Sequence, residues 1–128
     1  MIAKYIEHPG IAAQNPKELT QWYIKTLGME LKLQPGETTF FIACKGGGII
    51  EIYQAKFSAP PLENNYVRGL CHIAFYVDDF DQAYDDLITQ GVEVAATPMI
   101  IPPRLKLALF RDPEGNLFHI TQRDLEIL

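Results

Sequence analysis

The sequence is short of the features that would place it in several large protein classes. It has only two cysteines, Cys44 and Cys71, in no metal-type spacing. That excludes a disulfide-dense secreted scaffold and a cysteine-built zinc module, and leaves free thiols in a reducing compartment as the expectation. Basic residues are outnumbered: 11 Lys and Arg stand against 16 Asp and Glu, a net charge of −5. This argues against nucleic acid or an anionic membrane surface as the main partner. A small anionic ligand held by one local Arg or Lys stays open. No apolar run approaches the roughly 20 residues needed to span a bilayer. The N-terminal stretch MIAKYIEHPG lacks the apolar core and cleavage site of a signal peptide. A cytoplasmic protein is expected. Histidine is also scarce, with three in the chain.

What is present fits one domain. The chain has 128 residues, 48% hydrophobic and 21% charged, enough to bury a sizeable core. Residues 4–13 alternate loosely and suggest a strand, weakened by Pro9 and Gly10. Asn15-Pro16 reads as a helix start. Leu19, Trp22, Tyr23 and Leu27 follow at helical spacing, and Gly28 stops the helix. Trp22 is expected in the helix–sheet core. Met29–Gln34, Thr38–Ala43 and Ile49–Gln54 are strand candidates, separated by turns at Pro35-Gly36 and Lys45–Gly48. Residues 55–68 (AKFSAPPLENNYVR) read as a connecting linker.

The same pattern then returns. Leu70–Val77 is a strand. Asp78 or Asp79 caps a helix whose inner face carries Ala83, Leu87 and Ile88, and Gly91 ends it. Val92–Thr97 is a strand, Pro98–Arg104 a proline-rich loop, Leu105–Arg111 a strand, Asp112–Asn116 a turn and Leu117–Gln122 the last strand. The chain therefore reads βαβββ twice. His8 and His72 take matching places in the first strand of each half. Tyr23 and Leu87 follow each of them by the same interval, within the helices. The fold class expected is α+β: two βαβββ modules (about 1–55 and 68–128, linker 56–67) in a single domain spanning 1–128.

Side-chain alternation gives each terminal strand of a module a greasy face and a second face with one ionisable group. Cys71, Ile73, Phe75 and Val77 oppose His72, Ala74 and Tyr76. Ile50 and Ile52 oppose Ile49, Glu51 and Tyr53. Phe118 and Ile120 oppose Leu117, His119 and Thr121. The groups singled out are His8, Glu51, His72 and His119. A lone strand histidine is ordinarily a hydrogen-bonded core or rim residue, and a lone Glu51 an exposed residue of a half-wet sheet. Four such groups at matched positions of a repeat favour a metal site. Three imidazoles and a carboxylate suit Zn, Ni, Fe(II), Mn or Co, with positions open for substrate.

These residues resemble the vicinal oxygen chelate superfamily, the glyoxalase/bleomycin-resistance/dioxygenase group. The resemblance covers nearly the whole chain. It rests on His8–Leu31 (HPGIAAQNPKELTQWYIKTLGMEL), Gly48–Tyr53 (GIIEIY), Leu70–Asp79 (LCHIAFYVDD) and Asp112–Thr121 (DPEGNLFHIT). It implies paired βαβββ modules whose eight strands form a cup-like sheet with helices outside. Similarity to lactoylglutathione lyases of this size implies a divalent metal held by His8, Glu51, His72 and His119. It also implies a homodimer in which each site takes His8 and Glu51 from one chain and His72 and His119 from the other. Some relatives instead pair their modules within one chain. Two departures stand out: His119 lies where most enzymes of the group carry Glu, and Pro9-Gly10 replaces the usual apolar pair. No glutathione-anchoring residues are recognisable.

The reading that follows is a glyoxalase-like lyase or isomerase acting on a small molecule with vicinal oxygens, through a metal-stabilised enediolate. Glu51 is the candidate catalytic base, as the one carboxylate of the set. Tyr53, Tyr76 and Phe41 are candidates for the substrate pocket. The alternatives are a non-haem iron dioxygenase, or a metal-free small-molecule (antibiotic) binding protein in the same cup.

Overall fold

The computed structural model describes residues 1–102 and 104–124. They form two compact units, Met1–Ala59 and Pro60–Leu128, each with one helix and one four-stranded sheet.

In the first unit β1 (Gly10–Ala13), α1 (Pro16–Leu27), β2 (Glu30–Leu33), β3 (Thr39–Ala43) and β4 (Ile49–Gln54) follow in chain order. The sheet order is β1-β4-β3-β2. β1 lies parallel to β4, and the other pairs are antiparallel. Pro16 sits at the start of α1, where its missing N–H costs nothing. Gly28 ends the helix at φ 74°, donating its N–H to Ile24 O; this left-handed conformation favours glycine. α1 packs on β3 and β4. Leu19 and Tyr23 are buried, as are Phe40, Ile42, Ile50 and Ile52. Trp22 is only half-buried and meets Tyr23 edge-on. The core position belongs to Tyr23, one helical step away.

The second unit repeats the plan with β5 (Ile73–Tyr76), α2 (Phe80–Thr89), β6 (Glu93–Ile101), β7 (Leu105–Arg111) and β8 (Leu117–Arg123), in sheet order β5-β8-β7-β6. β5 is parallel to β8, matching β1 and β4. Asp79 Oδ1 accepts from Gln82 N, capping α2. Gln122 ties the helix start to β8 by accepting from Phe80 N and donating to Asp78 O. Phe80, Leu87, Ala108, Phe110, Phe118 and Ile120 make the core. Ile88, expected on the inner face of α2, is 44% exposed. The βαβββ repeat and the α+β class are thus both present.

Two strand starts differ from the sequence reading. β1 and β5 begin only at Gly10 and Ile73, so His8 and His72 precede their strands instead of lying in them. Pro9 has no N–H to give a ladder. Continued one step before Ile73, the register sets His72 opposite Leu117, the first residue of β8, so the parallel ladder ends there. Conversely, the expected loop at Pro98 is strand, since β6 runs on to Ile101. The ladder to β7 slips between Ala96 and Met99. That irregularity on an edge strand is where a proline is tolerated. Pro103, the last proline of that expected loop, lies outside the described residues.

Candidate metal centre

The parallel pairing of β1 with β4 sets the first half of the site. Gly10 lies opposite Glu51, and Glu51 N donates to Pro9 O at 3.1 Å. His8, two residues before Gly10, falls on the same side as Glu51. Its Nε2 is 3.4 Å from Glu51 Oε1, with both side chains about one-quarter exposed. Its Nδ1 lies 2.9 Å from Glu7 Oε1. Phe41, opposite Glu51 on β3, meets the His8 ring edge-on at 5.3 Å. Tyr53, two residues beyond Glu51, reaches over β1. A Cβ on Gly10 would come within 3.1 Å of the Tyr53 ring and 3.8 Å of Glu51 Oε1. The bare Gly10 backbone is what leaves room for the Tyr53 ring.

The second unit repeats this register. Ala74 lies opposite His119, and His72 again stands two residues before the paired position. The two imidazoles stack at 3.6 Å with planes 12° apart. His119 is 8% exposed, and its Nε2 is buried with no hydrogen-bond partner among the described residues. Burial, with His72 as the lesser cause, pushes the His119 imidazole from 6.5 down to about 4. Burial also lowers His72. Both rings are therefore neutral near neutral pH, the form in which imidazole binds metal. His72 Nδ1 lies 2.6 Å from Asn65 Oδ1. Tyr76 is 60% exposed and pairs with Thr121, whose hydroxyl is buried without a partner among the described residues.

Each unit therefore assembles two of the four predicted ligands. Among the described residues, no three His, Cys, Asp or Glu side chains gather in one place. The donor types in each unit suit a divalent ion with nitrogen and oxygen preference: an imidazole beside a carboxylate in the first, and two imidazoles in the second, one with a buried Nε2 that has no hydrogen-bond partner among the described residues. A separate polar depression of about 500 Å³ lies at the start of α1, against Gln14, Lys17, Glu37 and Gln54. It contains none of the four. Of the charged residues near the seventh strand, Arg111 is a brace: it donates to Gly115 O and Glu63 O and pairs with Glu93.

Sequence reasoning did not single out Glu7, Asn65 or Thr121. Glu7 and Thr121 had a weak signal, being one residue from His8 and two from His119. Asn65 had none, because only the fold of the 60–72 segment brings it to His72.

Comparisons with known proteins bear on this arrangement. The structure resembles a lactoylglutathione lyase from Agrobacterium tumefaciens at 19% identity, TM-score 0.72, covering 95% of this chain and 96% of that one. It resembles TnmS3, an antibiotic binding protein from Streptomyces sp. CB03234, at 23% identity, TM-score 0.76, covering 97% and 99%. A glyoxalase/dioxygenase from Nostoc punctiforme aligns at 18% identity, TM-score 0.79, covering 95% and 92%. At these identities the likeness shows the fold alone. Comparison with curated proteins returned no match. The sequence profile of one family matches residues 5–120, which include all four donors. With its paired modules, the chain belongs to the Glyoxalase/Bleomycin resistance protein/Dioxygenase superfamily.

Proposed function

We propose that the protein is a metal-dependent lyase or isomerase acting on a small molecule with vicinal oxygens. The carrying observation is the repeated register. His8 with Glu51, and His72 with His119, occupy equivalent places on two equivalent sheets. One donor of the repeat, the buried His119 Nε2, has no hydrogen-bond partner among the described residues, which supports a ligand there.

His8, Glu51, His72 and His119 would hold a divalent ion, one of Zn, Ni, Fe, Mn or Co. A homodimer would supply two ligands from each chain, and the free thiols of Cys44 and Cys71 suit the cytoplasm. Such an ion supplies Lewis acidity to two adjacent substrate oxygens. Glu51 would move the proton: it is the one carboxylate of the set, and it lies one-quarter exposed beside His8. It would take a proton from the carbon next to the polarised carbonyl. Phe41 on one flank and Tyr53 on the other would shape the apolar wall. Tyr76 would do so in the second unit.

Metal content by plasma mass spectrometry tests this reading, on tag-free protein never exposed to chelator, beside His72→Ala. Near-stoichiometric divalent metal, lost in the variant, is the expected result. No metal in the wild type, even after reconstitution with each ion, would overturn the enzyme and leave a small-molecule binding protein.

A further inference from the structure

We propose that Glu7 and Asn65 are positioning residues which fix the tautomers of His8 and His72, so that each presents Nε2 as its ligating nitrogen. The inference rests on the metal reading above and extends it to residues outside the ligand set.

Consider the first unit. A carboxylate accepts hydrogen bonds and cannot donate them. The 2.9 Å approach of His8 Nδ1 to Glu7 Oε1 therefore places a proton on Nδ1. In the neutral ring Nε2 is then left with a lone pair. That lone pair lies 3.4 Å from Glu51 Oε1, another acceptor. Two acceptors at this range repel unless a proton or a cation lies between them. Glu7 thus sets His8 and Glu51 as adjacent donors to one electrophile.

The second unit reaches the same result with different chemistry. Asn65 Oδ1 faces His72 Nδ1 at 2.6 Å. The carbonyl oxygen accepts, so Nδ1 carries the proton and Nε2 is free. His72 stacks on His119, whose buried Nε2 has no partner among the described residues. The outer partner recurs at equivalent histidines of the two modules, although Glu7 lies next to its histidine and Asn65 seven residues before it. That recurrence separates the arrangement from a chance surface contact. Free histidine in water favours the Nε2–H tautomer, so the outer partner does necessary work. Such partners ordinarily change metal affinity by about 10- to 100-fold. Glu7 is 68% exposed, so the low end applies to it.

Two measurements on the full chain test the assignment. Long-range ¹H–¹⁵N correlation spectra of the metal-free protein, near pH 8, read each histidine's tautomer directly. Zinc affinity by chelator competition then compares wild type with Glu7→Ala, Asn65→Ala and Glu7→Gln. The expected result is Nδ1–H at His8 and His72, with Nε2–H gaining at the affected ring in each Ala variant. Zinc affinity should fall about tenfold in each. Glu7→Gln keeps an accepting oxygen and should restore the tautomer. Nε2–H at both rings of the wild type would overturn the proposal. So would Ala variants that bind zinc as tightly as a wild type that does bind it, and that result would leave the metal site standing. A wild type that binds no zinc, cobalt or nickel would overturn the metal site and, with it, this role.

Discussion

Acidification should destabilise the metal-free protein through His119 in particular, and the size of the effect follows from its burial. The folded imidazole is held at about 4, against 6.5 for the free group. Above 6.5 the ring is neutral in both folded and unfolded chains and contributes no pH dependence. Between 6.5 and about 4 the unfolded chain takes up a proton that the folded chain refuses, so stability falls as pH falls through this window. The full separation corresponds to at most about 3 kcal/mol, and about 2 kcal/mol of it is lost by about pH 5. Acidification acts on the whole chain, so the comparison must be differential. Urea unfolding of chelator-treated wild type and His119→Phe, from about pH 7 to about pH 5, isolates the histidine. The stability difference between the two proteins should change by about 2 kcal/mol over that range, the wild type losing more. His72→Ala should keep most of the slope, because burial is the larger cause and His72 the smaller. A difference that stays flat to within about 0.5 kcal/mol would refute the claim that burial holds His119 neutral.

Three further outcomes are expected. Asp112 is 4% exposed and accepts from Glu114 N, Asn116 N and Asn116 Nδ2. Asp112→Ala strands these donors and should cost about 3 kcal/mol in denaturant unfolding. Gly115 has φ 86°, and an added Cβ would lie 2.7 Å from Pro61 Cβ. Gly115→Ala should cost about 2 kcal/mol by thermal melting, from left-handed backbone strain and from the clash with the connecting segment. Glu51→Gln should leave the fold intact by circular dichroism and abolish turnover of any substrate the wild type converts. Full turnover in that variant would exclude Glu51 as the base.

Much of this architecture was legible in the sequence because it depends on local signals. Asn15-Pro16 and Gly28 bound α1, Asp79 caps α2, and strict alternation at 49–54 puts Ile50 and Ile52 inside with Glu51 out. The errors arose where tertiary pairing overrides local pattern. The proline at 98 reads as a loop, yet an edge strand with a slipped register absorbs it. Trp22 is the larger residue, but the sheet takes Tyr23, and helix phase decides which one turns inward. The four candidate residues were singled out from their repeat, and strand order carries them, pair by pair, to matched register in each unit. Asn65 could not be found that way. It reaches His72 through the path of an irregular segment, and no periodicity encodes that path.

The two halves of the candidate centre are equivalent in register but not in environment, and this bears on the most unusual residue of the set. Resemblance to the family's enzymes leads to the expectation of a glutamate where His119 stands. Glu51, at the equivalent place in the first unit, has a side chain 26% exposed and keeps contact with water. His119 is 8% exposed. A carboxylate at that depth needs a compensating charge, or else it takes up a proton and stops being a good ligand. The adjacent His72 is itself held towards its neutral form by burial, so it offers poor compensation. An imidazole escapes the problem. It is neutral at the same depth, it stacks on His72, and its lone pair needs no counter-charge before metal arrives. The same substitution removes one of two carboxylates from the proposed ligand set, leaving Glu51 as its sole anionic member. On the proposed reading, a site charged this way would hold a divalent ion with a net positive charge remaining. It should therefore favour substrates that bring their own negative charge, or develop it as Glu51 removes a proton.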